Sequence, residues 1–326
     1  MTKKLRVLIS IALLIVSAML QASDGIDRPR IGLVLGGGGA RGAAEVGVLK
    51  VLEEKGIRPD LITGTSIGAI VGGLYACGYT AAQLEEMFRT QEWLSLIGDR
   101  NKDLARSIIE EKDGVTYIFG FPVSGGQKRT DVEETGIGAL SGRSITILLD
   151  SLTRAYDGIE SFDQLPIPFR CVAVDIKKQE EVVMDSCELE LAMRASMSIP
   201  GAFRPVRWKG RTLVDGGMLN NLPVDVARAM GADIIIAVDL DQADHEERDF
   251  SLKETFGIGG ILDWLVSRPD WKKNKANRED ADIYINPEIG EYGVSSFGAG
   301  SIDTMISRGE KAARKALDKY DHPQWK

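Results

Sequence analysis

The chain has 326 residues and a formal net charge of −8, and 44% of its residues are hydrophobic. This length and composition suit a globular protein with a sizeable core, and the acidic balance argues against nucleic acid as a partner. The same charge makes the chain a poor electrostatic partner for anionic lipid, so any membrane contact must be local and apolar.

The N-terminus has the composition of an export signal. The basic head MTKKLR precedes fourteen uncharged residues, a run shorter than the ~20 apolar residues that span a bilayer. Small residues follow, and Ala18 or Ala22 is the expected last residue before cleavage. We therefore predict a signal peptide over residues 1–22 and export, to the periplasm, of residues 23–326 as a single domain. An uncleaved membrane anchor is the alternative.

The cysteines indicate neither a disulfide scaffold nor a metal site. Cys77, Cys171 and Cys187 are too few for a stapled exported domain. Cys77 and Cys171 lie in apolar stretches and are predicted to be small core residues. No Cys-x-x-Cys or His-rich spacing occurs, and we expect no metal or organic cofactor.

The first part of the chain alternates strands and helices. IGLVLG (31–36) has the pattern of a buried parallel strand, and a helix with apolar spacing is predicted from Ala44 to Gly56. A second strand (60–66) turns directly into a helix of small residues (67–78). This order predicts a parallel sheet.

The later elements are less regular. Residues 98–130 mix charge and glycine with few periodic signals and are predicted to be a mobile loop or lid. The other segments are predicted as a helix with a Ser N-cap at 141–156, paired strands at 169–176 and 180–186, a helix at 188–199 that ends at Pro200, a strand end with a glycine turn at 212–218, strands at 232–240 and 281–287, and a helix at 301–320.

A glycine-rich turn follows the first predicted strand. It matches G-x-G-x-x-G at Gly37, Gly39 and Gly42, which is the pattern of dinucleotide-binding turns. Such a site needs an acidic residue at the carboxyl end of the second strand. Asp60 precedes that strand, whose end is instead Gly64-Thr65-Ser66. Nucleotide binding stays open as an alternative, and the favoured interpretation is a turn whose amides stabilise an oxyanion.

The second glycine turn, GTSIG (64–68), fits the pattern G-x-S-x-G. Its glycines relieve crowding in a sharp strand-to-helix turn that exposes the hydroxyl of Ser66. The amide of Ile67 lies at the start of the following helix, where the helix dipole stabilises developing negative charge. Between a predicted strand and a predicted helix, this pattern indicates a nucleophile.

A serine nucleophile needs a base, which is usually a histidine. The chain has only His245, in a charged run, and His322, near the end, and neither is expected to be catalytic. Asp215 in LVDGGMLNNLP is the best candidate, because it ends a predicted strand and two glycines follow it. These would place its carboxylate at the same sheet edge as Ser66. A turn aspartate is the alternative interpretation.

Together these motifs resemble those of the patatin-like phospholipases. GGGGARG, GTSIG and DGG occur in the order that this family has, and SMSIPGAF (196–203) is similar to its segment before the third motif. The resemblance runs from about Arg28 to Tyr320 and is strongest to the bacterial branch whose domains are exported. It implies a three-layer α/β/α fold with a mainly parallel central sheet, and a Ser–Asp dyad without histidine.

The resemblance also implies a role for individual residues. Ser66 corresponds to the nucleophile and Asp215 to the base. The expected oxyanion donors are the amides of Gly37, Gly38, Gly39 and Ile67. The supporting residues are Arg41, which braces the turn or attracts a phosphate, and Gly64, Gly68, Gly216 and Gly217.

The expected activity is that of a lipid acyl hydrolase acting on a phospholipid or lysophospholipid. A general carboxylesterase or acyltransferase with the same acyl-enzyme is one alternative, and a non-catalytic adaptor with this fold is another. The apolar segment 256–271 either dips into a lipid surface or packs on the domain. Asp239, Asp241 and Asp244 with His245 fit no calcium loop and are interpreted as a solvated loop.

Overall fold

The computed structural model describes residues 28–99, 109–112, 115–118, 121–122, 140–242 and 271–320. The described residues from position 30 onward belong to one compact unit. The predicted signal peptide, both histidines and residues 256–270 of the apolar segment lie outside the described residues. Within the described ranges, no helix combines the length and apolarity needed to cross a bilayer.

Strands and helices alternate along most of the described chain. The strands are β1 (Ile31–Leu35), β2 (Leu61–Thr65), β3 (Ile109–Lys112), β4 (Val115–Ile118), β5 (Phe121–Pro122), β6 (Phe169–Asp175), β7 (Glu180–Met184), β8 (Val206–Trp208), β9 (Arg211–Asp215), β10 (Ile234–Val238) and β11 (Ile283–Ile285). The α-helices are α1 (Ala43–Glu54), α2 (Ile67–Ala76), α3 (Ala81–Thr90), α4 (Trp93–Ile97), α5 (Arg143–Thr153), α6 (Leu189–Ser196), α7 (Val224–Ala229), α8 (Trp271–Asp280) and α9 (Ala299–Leu317). Short 3-10 helices include Gly39–Gly42 and Gly216–Met218.

Eight strands form the central sheet. β11, β10, β1, β2 and β6 pair side by side in parallel, in that order. β7 and β9 each pair antiparallel with β6, and β8 pairs antiparallel with β9. The predicted mainly parallel sheet is therefore confirmed, with its antiparallel strands gathered at one end.

Helices cover both faces of this sheet. On one face, Gly72 of α2 packs closely against Leu35 and Ile62. On the other face, Val34 and Leu61 form a buried apolar cluster with Ala227 of α7. Because side chains alternate between the two faces of a strand, successive residues of β1 pack against helices on opposite faces of the sheet. The predicted three-layer α/β/α fold is confirmed.

The prediction that Cys77 and Cys171 are small core residues is confirmed. Cys77 and Cys171 are both buried in the core. Burial raises the pKa of the Cys77 thiol to about 12, so this side chain stays a neutral thiol at physiological pH. Both residues therefore act as small apolar core side chains.

Three local predictions are wrong. The prediction of a loop at 98–130 is wrong at β3, β4 and β5, which form a small antiparallel sheet. Such short paired strands leave no long periodic signal in the sequence. From residue 100 on, the rest of this segment lies outside the described residues. The N-cap of α5 is Gly142 rather than a serine. The carboxylate of Asp99 caps this helix instead, accepting from the Gly142 amide at 3.0 Å and the Ser144 amide at 2.8 Å.

Helix α6 also ends earlier than predicted, at Ser196 rather than just before Pro200. The residues that follow bind the end of β9, since the Asp215 amide donates to the Ser198 carbonyl at 3.0 Å. A helix that continued through Ser198 would direct this carbonyl along its own axis. The tertiary hydrogen bond therefore replaces the last predicted turn.

Candidate active site

The turn between β2 and α2 holds Ser66 in a strained backbone conformation. Its φ is 56°, in the left-handed region that residues with a Cβ rarely adopt. A Cβ on Gly64 would overlap the Gly68 carbonyl oxygen, and a Cβ on Gly68 would overlap the Leu35 carbonyl oxygen. Only glycine fits at both positions, so the sequence pattern and the sharp turn have the same steric cause.

Ser66 and Asp215 are in direct contact. The Ser66 hydroxyl donates to Oδ2 of Asp215 at 2.7 Å. The two residues are 5% and 4% exposed, so the pair is shielded from bulk water. The structure thus brings together the two side chains that the motifs single out, 149 residues apart in sequence.

The strand pairing explains how these residues meet. β7 covers one edge of β6, and both β2 and β9 pair with the opposite edge. On that edge β2 ends where Thr65 pairs with Val172, and the antiparallel β9 ends where Asp215 pairs with Ala173. The two strands therefore run toward each other in line, and their last residues become neighbours.

The environment of Asp215 favours a carboxylate that can take up a proton. Burial raises its pKa to about 6, while hydrogen bonds from the Gly217 amide and the Ser66 hydroxyl lower it. The Gly217 amide donates to Oδ1 at 2.8 Å, which leaves Oδ2 facing the serine. A Cβ on Gly216 would overlap the Val172 carbonyl oxygen, so the turn after Asp215 requires glycine. A pKa close to the working pH suits a general base.

Ser196, outside the predicted site, holds the backbone of Ser66. Its hydroxyl accepts from the Ser66 amide at 2.8 Å and donates to the Val172 carbonyl at 2.6 Å. Both bonds are buried, and they tie the strained turn to β6. The similarity of SMSIPGAF to the family singles out the segment that begins at this serine. It does not predict the hydrogen bond to the Ser66 amide.

We expect Ser196→Ala to weaken the strained turn. The Ser66 amide would be left buried without its acceptor, which costs about 1–3 kcal/mol in the free energy of unfolding. The fluorophosphonate labelling rate at Ser66 should fall several-fold, because the hydroxyl loses its fixed position. Urea unfolding and labelling kinetics measure the two effects.

Ser198→Ala is the matched control for this variant. It also removes a buried hydroxyl, but that hydroxyl bonds within α6 and its extension, to Arg194, and the link from Ser198 to Asp215 uses its backbone carbonyl. Equal labelling rates in Ser196→Ala and wild type would show that Ser196 does not position the nucleophile.

The glycine-rich turn only partly matches its prediction. The Gly37 amide donates to the Asn221 carbonyl at 3.1 Å, so it is engaged in the fold and the predicted oxyanion role is wrong for this residue. The amides of Gly38 and Gly39 donate to no acceptor in the described part of the chain, and the same holds for Ile67 at the start of α2. The predicted oxyanion role of Gly38, Gly39 and Ile67 stays a prediction.

Arg41 braces the same turn. Its Nε donates to the Tyr292 carbonyl at 2.6 Å, and the neighbouring Ala40 amide donates to the Val294 carbonyl at 2.8 Å. A Cβ on Gly39, whose φ is 59°, would press against Val294. The turn is thus held against the segment before α9, and attraction of a phosphate by Arg41 stays a prediction.

The acidic residues considered for other sites have structural positions. Asp60 accepts from the Ile31 amide at 2.7 Å, at the amino ends of β1 and β2, which is the opposite end of the sheet from a nucleotide's ribose. Asp239 and Asp241 were predicted in a solvated loop, and this is wrong because both are buried. The Arg278 guanidinium and the Tyr284 hydroxyl bond the Asp239 carboxylate, at 2.5 and 2.8 Å.

A buried serine on a strand-to-helix turn, hydrogen-bonded to a buried aspartate, is an arrangement typical of a serine hydrolase. Comparison with known proteins agrees with this class. The family model for patatin-like phospholipases matches residues 33–228. The chain belongs to the patatin-like phospholipase family, which confirms the resemblance of its motifs.

Similar proteins include multidomain eukaryotic relatives. Human patatin-like phospholipase domain-containing protein 6 is 34% identical over 245 residues, which cover 74% of this chain and 15% of that protein. Lysophospholipase NTE1 of Mycosarcoma maydis is 31% identical over 313 residues, covering 89% of this chain and 15% of that protein. The chain therefore spans only about 15% of the length of these relatives.

Among solved structures, VipD from Legionella pneumophila is similar, with 15% identity and a TM-score of 0.47. The match covers 90% of this chain and 67% of that one. The predicted bacterial, exported branch of the family stays a prediction, since the relatives named above are eukaryotic.

Proposed function

We propose that this chain is a lipid acyl hydrolase of the phospholipase A or lysophospholipase type, which cleaves carboxylic esters through a Ser66–Asp215 dyad. The hydrogen bond of 2.7 Å between the Ser66 hydroxyl and the Asp215 carboxylate carries this proposal. The raised pKa of Asp215 and its burial support it. The similarity to lysophospholipase NTE1 also supports it, since that match spans 89% of this chain.

In the proposed reaction, Ser66 Oγ attacks the carbonyl carbon of the ester while its proton passes to Oδ2 of Asp215. The amides of Gly38, Gly39 and Ile67 stabilise the negative charge on the carbonyl oxygen. The C–O bond to the alcohol breaks, and the leaving alkoxide takes the proton from Asp215. Water then hydrolyses the acyl-enzyme by the same proton route in reverse.

Hydrolysis of a lipid panel tests this proposal. Residues 23–326 are incubated with phospholipids, lysophospholipids and short-chain p-nitrophenyl esters, beside Ser66→Ala. We expect release of free fatty acid by the wild type and none by the variant. Transfer of acyl groups to added alcohols without hydrolysis would indicate an acyltransferase. A folded wild type that neither hydrolyses esters nor reacts with a fluorophosphonate would indicate an adaptor.

We also propose that residues 1–22 direct export and that residues 23–326 form the single hydrolase domain. The basic head and apolar run support the first part, and the compact unit from position 30 supports the second. N-terminal sequencing of the protein recovered from a bacterial periplasm tests both. A first residue of 19 or 23 is expected, and an intact N-terminus in the membrane fraction would favour the anchor.

A further inference from the structure

A small cavity borders the dyad. Three apolar side chains, Ile199, Pro200 and Met218, line it together with Ser66, Asp215 and Asn221. Its volume is about 10 Å³, which is roughly the smallest cavity volume that can hold one water molecule. The space next to Ser66 and Asp215 is therefore about the size of one water molecule, and both polar and apolar groups line it.

Besides Ser66 and Asp215, Asn221 contributes a polar side chain to the lining of this cavity. It is 1% exposed. Its Nδ2 donates to the Gly37 carbonyl at 3.1 Å, and this bond fixes which end of the amide is the oxygen. Oδ1 accepts no hydrogen bond from the described residues. A buried amide oxygen in a folded protein normally has a donor, so this one is available for a molecule that enters the cavity.

The glycines around Asn221 locate its oxygen relative to the dyad. A Cβ added to Gly37 would overlap Asn221 Oδ1 and would lie 3.2 Å from the Ser66 Cβ. A Cβ added to Gly217 would lie 2.7 Å from Asn221 Oδ1 and 3.1 Å from Asp215 Oδ1. The amide oxygen, the nucleophile and the base thus border the same small space.

We propose that Asn221 Oδ1 orients the water that hydrolyses the acyl-enzyme, an inference that rests on the proposed function. One O–H of this water donates to the Asp215 carboxylate and the other donates to Asn221 Oδ1. With both hydrogens held, a lone pair of the water oxygen is directed at the acyl carbonyl carbon.

The step balances with the groups present. The water oxygen forms a bond to the carbonyl carbon as its proton passes to Asp215. The tetrahedral intermediate collapses, the bond from the carbonyl carbon to Ser66 Oγ breaks, and Oγ takes the proton from Asp215. The products are the fatty acid and the free enzyme. Asn221 exchanges no proton, and its Oδ1 acts toward the water only as a hydrogen-bond acceptor.

Competition between water and methanol tests this role. Methanol has one O–H, which it uses on Asp215, so it gains nothing from Asn221. The wild type and its variants are given a p-nitrophenyl ester in buffer with methanol, and the ratio of methyl ester to free fatty acid is measured. This ratio depends only on what the acyl-enzyme reacts with, so slower acylation or a partly unfolded sample does not change it.

We expect Asn221→Leu, which roughly keeps the side-chain volume, to raise this ratio by about tenfold, the effect of one lost hydrogen bond in the transition state. Asn221→Ala should shift it in the same direction, and acyl-enzyme should accumulate in both variants, as seen by intact-protein mass spectrometry. Asn221→Asp keeps an acceptor oxygen and should stay near the wild-type ratio. Asn220→Ala, the matched control, removes a neighbouring amide that donates to Glu181 and Asp225 and should leave the ratio unchanged.

Two results would overturn the proposal. One is a ratio in Asn221→Leu and Asn221→Ala within twofold of wild type. The other is an equal shift in Asn221→Asp, which would assign the effect to the lost bond with the Gly37 carbonyl. Failure of the proposed function is distinguishable, because the wild type itself would then release neither fatty acid nor methyl ester, and the role of Asn221 would fall with it.

Discussion

Asp215→Asn should lower kcat/KM for ester hydrolysis by at least roughly a thousandfold, the scale of losing a directly acting general base. The Gly217 amide donates to Oδ1 of the carboxylate, so the asparagine will keep its oxygen at that position. Its NH2 group then replaces Oδ2 and faces Ser66. An amide nitrogen with no lone pair to offer cannot take the serine proton, although the side chain is nearly unchanged in size.

This loss is measured as kcat/KM on a soluble p-nitrophenyl ester, and circular dichroism checks that the variant is folded. Asp175→Asn is the matched control. Asp175 is also buried and also ends a strand, but its carboxylate accepts from the Lys177 amide and not from the serine. Retention of more than a tenth of wild-type activity by Asp215→Asn, with a normal Asp175→Asn, would contradict the dyad.

The pH dependence of activity should follow the ionisation of Asp215. Burial raises its pKa to about 6, so the carboxylate is increasingly protonated below that pH and cannot act as a base. We expect kcat/KM to fall by roughly tenfold for each pH unit below 6 and to reach a plateau above 7. Initial rates in buffers of constant ionic strength from pH 4.5 to 8.5 measure this profile. A flat profile across that range would exclude a base with a raised pKa.

The same pKa predicts the sign of a stability change. A carboxyl pKa raised from 3.8 to about 6 means that the folded state binds the proton more tightly than the unfolded state. The stabilisation is complete below the unfolded value and is lost as pH rises through the folded value. Above pH 7 the buried charge costs the fold up to roughly 3 kcal/mol.

Asp215→Asn removes this charge and should therefore be more stable than wild type at pH 7.5. The difference in the free energy of unfolding should shrink between pH 6 and pH 4, which urea titrations at several pH values will show. Active sites often contain strained or desolvated groups that activity requires and that destabilise the fold. Removing such a group is expected to abolish activity and raise stability. A variant less stable than wild type at pH 7.5 would argue against the raised pKa.

The confirmed predictions rest on short sequence motifs. Gly64 and Gly68 are both required by steric overlap with backbone, Gly64 within its own turn and Gly68 against the Leu35 carbonyl oxygen at the end of β1. The pattern predicts the turn because a short apolar strand, two glycines around a serine and a helix follow one another directly along the chain. The errors at α5 and α6 arose where distant groups, Asp99 and the end of β9, replaced the expected local capping and helical bonds.

The predicted oxyanion donors show more clearly what the sequence alone cannot specify. Gly37, Gly38 and Gly39 are equivalent in the sequence, and only the approach of Asn221 from another loop engages the first of them. Asp239 follows a strand in a polar stretch, a pattern typical of a solvated loop. The structure instead buries it in contact with Arg278 and Tyr284. Hydrogen-bond partners across long sequence separations leave no periodic signal.

The sequence by itself determined the family and the mainly parallel sheet, and it singled out Ser66 and Asp215, which the structure places in contact. It did so because the glycine turns and their order specify the chemistry locally. The tertiary structure alone decided how the two residues meet. β9 runs antiparallel on the edge of β6 that β2 also uses, so their last residues face each other. Strand direction and register depend on pairing between segments far apart in the chain, and only the assembled sheet specifies them.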